Sequence, residues 1–269
     1  MRSNHWGGYM KELQISIKTL LVEHCSSLTE LPPLPLTIER LVIDTSRLTN
    51  FTFSTSSSIG TLNSSPDEIK IEGYPNITCL PPVDVLKQFT SLQSLYLSHC
   101  EVPMSLEGLH SIHSLKKLRI LRCPNITRGD VPVTVENLSI DDPSLLLRAS
   151  LRNIRCLHKL EVSYNVKITS FPDYFESWIV ENHKSLQHLR FYYLKSLEEL
   201  PSCLNRLTSL KSLELCFVPQ LHVLPDLPSS LQQLYIQLSS AKLEEHYKDG
   251  GVHWPKIAHI PSCTITADC

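Results

Sequence analysis

Few groupings in this chain of 269 residues have the types and spacing for covalent or metal chemistry. His99 and Cys100 lie near His110 and His113 in sequence, a set that on paper offers metal ligands or a thiol with its base. The nine cysteines are odd in number and scattered, and no C-x-x-C pair occurs, so neither a zinc ribbon nor a disulfide framework is indicated. No H-E-x-x-H, G-x-S-x-G or G-x-G-x-x-G is present. Cys25, Cys100 and Cys123 each follow an apolar phrase at the same offset, where a small buried residue packs, and that role outweighs a reactive one. No catalytic, cofactor or metal residue is therefore assigned. A second set suits contact rather than reaction: Tyr96, Arg119, Arg122, Tyr164, Arg190, Tyr192, Tyr193, Phe217 and Tyr235. Tyr, Arg and Phe bring large contact area at modest entropic cost.

The elements that position these residues are short apolar phrases. Leu186-x-x-Leu189-x-Phe191, Leu210-x-x-Leu213-x-Leu215 and Leu231-x-x-Leu234-x-Ile236 are three copies of one pattern. Looser or clean copies start at Ile17, Ile38, Ile69, Leu92, Leu115, Val135 and Leu157, making about ten units of a leucine-rich repeat. Apolar residues at every second position of a strand face one way, so the intervening residues point outward. The expected fold is α/β: a leucine-rich-repeat solenoid, an irregular horseshoe with a parallel concave sheet and a mostly irregular or short-helical convex side. Prolines closing the convex phrases, Pro32, Pro81, Pro201 and Pro225 after Leu and Pro172 after Phe171, end the convex segments and disfavour a regular helix there, with Asp173 to Asn182 the place where one fits. The expected organisation is an irregular edge over 1–16, the repeat domain over 17–243 and a C-terminal cap over 244–269. The Ser/Thr-rich stretch from Thr49 to Ser65 is expected to bulge as a loop. The lack of a polar N-terminal cap suggests an array that began further upstream, or a piece of a longer receptor.

Composition narrows the partners. Hydrophobic residues are 42% and charged residues 19%, enough burial to exclude global disorder. A net charge of −2 gives no electrostatic case for nucleic acid or an anionic membrane. No apolar run is long enough to span a membrane, and the N-terminus lacks a secretory apolar region. Five sequons, at Asn50, Asn63, Asn76, Asn125 and Asn137, would matter only in a secreted chain. The expectation is a reduced, cytoplasmic protein. Within the outward set, Tyr164, Arg190, Tyr192, Tyr193, Phe217 and Tyr235 read as an aromatic strip with one cation. It serves either as a binding surface or as mutual support between neighbouring strands, with Phe217 open to being turned into the core. Lys116, Lys117, Arg119 and Arg122 form a basic patch, a solvated face or a contact for an acidic partner.

The cysteine at the turn, the L-P-S-S-L-Q-Q-L phrasing and the terminal Trp254-Pro255-Lys256-Ile257-Ala258-His259-Ile260-Pro261 resemble a known family. It is the leucine-rich-repeat region of plant intracellular nucleotide-binding disease resistance proteins, in particular the coiled-coil class of grasses. The resemblance covers roughly residues 17 to 265. It implies a module of plant innate immunity that recognises a pathogen effector or a host protein. It further implies that, in a full receptor, the module holds the nucleotide-binding part inactive. The chain departs from the family in having no G-x-x-x-x-G-K-[ST]. Two alternatives stay open. Leu31-Pro32-Pro33-Leu34-Pro35 and Leu224-Pro225-Asp226-Leu227-Pro228 also resemble bacterial effector ubiquitin ligases, for which Cys263 or Cys269 would be the nucleophile. A truncated stand-alone scaffold is the other.

Overall fold

The computed structural model describes residues 17–35, 38–43, 47–49, 51–53, 66–72, 76–148 and 151–267. The expected N-terminal edge over 1–16, Ser46, Tyr74, Cys269 and most of the Ser/Thr-rich stretch lie outside them. The chain forms two compact units, Met1–Thr134 with Arg148–Leu151, and Val135–Leu147 with Arg152–Cys269.

In the first unit, β1 (Thr19–Val22), β2 (Arg40–Ile43), β3 (Glu68–Ile71), β4 (Ser94–Ser98) and β6 (Lys117–Leu121) pair in parallel in that order. Between the last two lies β5 (Met104–Ser105), which pairs with β7 (Ile126–Arg128) in a separate two-stranded sheet. The register has no offset from strand to strand. Leu41, Ile69, Leu95 and Leu118 form one column, and Ile43, Ile71, Leu97 and Ile120 another. All eight are buried. A slip by one residue would turn both columns to solvent, so the apolar pattern itself enforces the register.

The second unit repeats the arrangement with β8 (Asn137–Ile140), β9 (Lys159–Ser163), β10 (His188–Tyr192), β11 (Ser212–Cys216), β12 (Gln233–Gln237) and β13 (Ser262–Thr266). Its columns are Leu138, Leu160, Leu189, Leu213, Leu234, Cys263 and Ile140, Val162, Phe191, Leu215, Ile236, Ile265. Each fully buried leucine in them contributes roughly 1.5–3 kcal/mol. Strand entry is also fixed by hydrogen bonds. Two successive amides share one carbonyl of the preceding coil: Gln187 and His188 donate to His158 O, and Lys211 and Ser212 to Gln187 O.

The opposite side is built from short pieces. The helices α1 (Val83–Leu86) and α2 (Asp173–Glu181) begin directly after Pro82 and Pro172. A 3-10 turn over Ser202–Arg206 follows Pro201 in the same way. The helix at Asp173–Glu181 lies where the sequence reading places one, and each of these prolines both ends the segment before it and opens the turn after it. A helix's first residues have no acceptor for their N–H, so a proline there loses nothing, and its carbonyl accepts the first bond. Phe175 N donates to Pro172 O at 2.9 Å, and Val85 N to Pro82 O at 2.9 Å. The Ser/Thr-rich stretch also begins differently from expectation. Phe51 and Phe53 are buried, Phe53 bridges to Leu34, and its ring lies 4.8 Å from Phe89. Two aromatic rings outweigh the polar residues around them.

Two polar devices tie coils together. Ser114 Oγ donates to Leu92 O at 2.8 Å, and Ser230 Oγ to Leu210 O at 2.9 Å. The buried Asn182 side chain donates to Ile154 O and Trp178 O and accepts from Leu157 N, each at 3.2 Å. Replacing it strands an amide and two carbonyls away from water. Asn182→Ala should therefore lower unfolding free energy by about 1–3 kcal/mol, measured by urea denaturation against the parent.

Candidate protein-binding face

Because the strands are in register, outward side chains also form rows. In the second unit one row runs Glu161, Arg190, Glu214, Tyr235. Arg190 Nη1 lies 3.5 Å from Glu161 Oε2, and its Nε lies 3.3 Å from Glu214 Oε2. The second contact is off the hydrogen-bonding line, and the buried Nε has no hydrogen-bond partner, so it acts through charge alone. The guanidinium also sits 4.9 Å from the centre of the Tyr192 ring. The adjoining row is Ser163, Tyr192, Cys216, Gln237. Ser163 and Cys216 are buried although they lie on the outward side. Burial pushes the Cys216 thiol up, and the nearby Arg190 opposes that push.

Past seven of the strands the chain turns through a left-handed residue. His24, His99, Arg122, Tyr164, Tyr193, Phe217 and Leu238 all have φ between 53° and 62°. At four of them a backbone bond to the next coil accompanies the turn. His99 N donates to Leu121 O, Tyr164 N to Tyr192 O, Tyr193 N to Cys216 O and Phe217 N to Gln237 O, at 2.8–3.0 Å. The conformation costs about 1–2 kcal/mol for a residue with a β-carbon, as all seven are.

At three successive turns these residues are aromatic, and their rings meet. Tyr193 stacks on Phe217 with centroids 4.6 Å apart and planes 12° apart. Tyr164 lies 5.8 Å from Tyr193 and meets Tyr192 edge-on at 5.3 Å. Lys195 Nζ stands 5.1 Å from the Tyr193 ring and 5.8 Å from the Phe217 ring. The neighbouring phenol of Tyr164 is the main reason the Tyr192 hydroxyl is raised above the usual tyrosine range, since two phenolates this close would repel.

The residue after the turn completes the repeat. Cys25, Cys100 and Cys123 each direct Sγ toward the carbonyl two residues earlier. Asn165 Oδ1 accepts from Lys167 N and Ile168 N, and its Nδ2 donates to Asp141 O. Together with the in-register parallel columns, this is the unit L-x-x-L-x-L-x-x-[N/C] in three dimensions. The chain is a leucine-rich-repeat solenoid.

No protein-family model matches the chain. Over 163 residues, 51% of the chain, it is 25% identical to a putative disease resistance protein, RGA1, of Solanum bulbocastanum, and it spans 16% of that protein. Among solved structures it is similar to the leucine-rich repeat domain of the type III effector XCV3220 (XopL), with 20% identity and a TM-score of 0.45. That alignment covers 82% of this chain and 68% of the other. It is also similar to the TLR13–ssRNA13 complex, with 14% identity and a TM-score of 0.40, over 90% of this chain and 44% of the other.

The solenoid brings together five of the nine residues singled out from sequence: Tyr164, Arg190, Tyr192, Tyr193 and Phe217. Phe217 is half-buried on Tyr193, not turned into the core. Tyr235 stands outside the ring cluster, exposed, with its hydroxyl donating to Gln237 Oε1 at 2.8 Å. The strip carries two cations, not one, because Lys195 lies over the rings. Lys195 and Cys216 were not legible from sequence: neither residue type is an obvious contact former, and only the turn geometry and the covering side chains give them a place. In the first unit, Lys70, Tyr96 and Arg119 form a row, with Lys70 Nζ 5.0 Å from the Tyr96 ring. Arg122 Nη1 lies 2.9 Å from His99 Nε2. Among the described residues, no three His, Cys, Asp or Glu side chains are grouped to hold a metal ion.

Two measurements test this geometry without a partner. Cys216 should resist iodoacetamide while the exposed Cys25, Cys79 and Cys156 react, and Tyr192→Ala should expose it, as followed by mass spectrometry of the intact protein. Tyr164→Phe should bring the Tyr192 hydroxyl down toward its ordinary pKa, seen by NMR titration of ring-labelled tyrosine.

Proposed function

We propose that this chain is a protein-binding module of plant innate immunity, recognising a pathogen effector or a host protein through the aromatic strip of its second unit. The observation that carries this is the cluster of Tyr164, Tyr193 and Phe217, held half-exposed on left-handed turns that favour smaller residues, with Tyr192 at the end of β10 against them. Side chains kept where the backbone is strained point to function more than to packing. The 25% identity to a putative disease resistance protein supports the immune setting. So do the turn cysteines and the W-P-K-I-A-H-I-P segment described above.

In this reading residues 17–243 form the repeat domain, and 244–269 close its C-terminal end, with β13 covering β12. The protein works in the cytoplasm, and a nucleotide-binding module of a parent receptor is its second partner. No helix among the described residues is long and apolar enough to cross a membrane. The unit-one residues Tyr96, Arg119 and Arg122, and Tyr235 in unit two, are proposed as secondary contacts. The module has no catalytic role of its own. A cysteine nucleophile requires a lowered thiol pKa, and burial moves Cys263 the other way.

The test is a yeast-displayed library of pathogen effector and plant host proteins, panned against the immobilised chain. Clones retained by the parent should bind the Tyr192→Ala, Tyr193→Ala, Tyr235→Ala variant at least about thirtyfold more weakly. Equal binding by a variant with the parent's circular dichroism and melting temperature would remove the strip as the site.

A further inference from the structure

The charges around the strip are arranged unequally. Arg190 is held between Glu161 and Glu214, so its charge is spent within the sheet. Lys195 is exposed, and among the described residues no carboxylate lies within ion-pair distance of it; it stands only over the faces of Tyr193 and Phe217. An aromatic face attracts the ammonium without neutralising it. Next to it, Val166 is 48% exposed, and its carbonyl accepts from Ser196 Oγ at 2.8 Å, which places it beside the Lys195 turn. The edge therefore presents the Lys195 ammonium without an ion-pair partner among the described residues, over Tyr193 and Phe217 and beside Val166.

We infer that the strip takes an acidic segment of a protein partner: a carboxylate set over Lys195, flanked by aromatic or branched apolar residues packed against Tyr193, Phe217 and Val166. The inference rests on the protein-binding face proposed above and specifies its occupant. A basic segment would meet Lys195 with like charge, and an uncharged one would leave the ammonium without a counter-ion on a covered surface. Arg190 contributes indirectly. It fixes the Tyr192 ring, and with its charge already matched it adds no attraction for the partner's carboxylate.

Phage-displayed random linear peptides, panned against the full chain and counter-selected on a Tyr193→Ala, Phe217→Ala variant, test this. Enriched peptides should carry Asp or Glu next to an aromatic or branched residue. Their affinity should fall roughly fivefold with Lys195→Ala and further with Lys195→Glu. Binding to Lys195→Glu should return when the peptide's acidic residue is exchanged for lysine. Enrichment of uncharged or basic peptides that are indifferent to Lys195 would overturn the inference while leaving the binding face standing. No enrichment over the Tyr193→Ala, Phe217→Ala variant would overturn the face as well. Sedimentation of the chain alone provides a separate check. Self-association abolished by Phe217→Ala would make the occupant a second copy and overturn the inference.

Discussion

The zero-offset pairing of parallel strands is the constraint on which everything else depends. Two apolar positions per strand, Leu189 and Phe191 in β10 or Leu213 and Leu215 in β11, must meet their counterparts directly, or both columns leave the core. That demand fixes the height of every outward residue as well. The Glu161–Arg190–Glu214 row is a consequence of it, and so is the aromatic cluster at the strand ends. The surface chemistry is arranged by the core, because side chains far apart in sequence can meet only where the register brings them level.

Outward residues are commonly treated as free of the core, but this molecule shows a gradation. Ser163 and Cys216 point away from the apolar columns and are nonetheless buried, with Arg190 and Tyr192 beside them. The strip is thus a small second layer, with its own sealed floor and an exposed roof of half-covered rings. A floor of this kind limits how far the rings can reorient, since Ser163 and Cys216 in the same row as Tyr192 are buried. That rigidity lowers the entropy lost when a ligand is covered, the usual advantage of a pre-ordered surface.

Much of this was legible in the sequence. The spacing L-x-x-L-x-L gave the strands, their parallel stacking and the outward residues, because one local pattern carries both period and face. The convex side was less legible. A proline reads as a stop in the abstract, whereas Pro82, Pro172 and Pro201 each sit where a helical turn begins, and of these only the turn after Pro172, with its longer run to Asn182, was expected. Phe51 and Phe53 were obscured by the serines and threonines around them. At the strip, residue type found Tyr192, Tyr193 and Phe217, but adjacency was set by the turns. Tyr235 falls one row away, and Lys195 reaches the rings from a loop.

The column of left-handed turns has a consequence for how such a surface changes over generations. Wherever the backbone takes that conformation, a mutation to glycine or asparagine relaxes the chain, so selection for robustness alone drives these positions toward small residues. Large side chains at Tyr164, Tyr193 and Phe217 run against that drift, packed on one another by ring contacts. The array thus separates two evolutionary pressures by position: the columns record what folding demands, and the turns are open to any other demand. Under selection for robustness alone the strip would go first, leaving a sturdier coil with a featureless face.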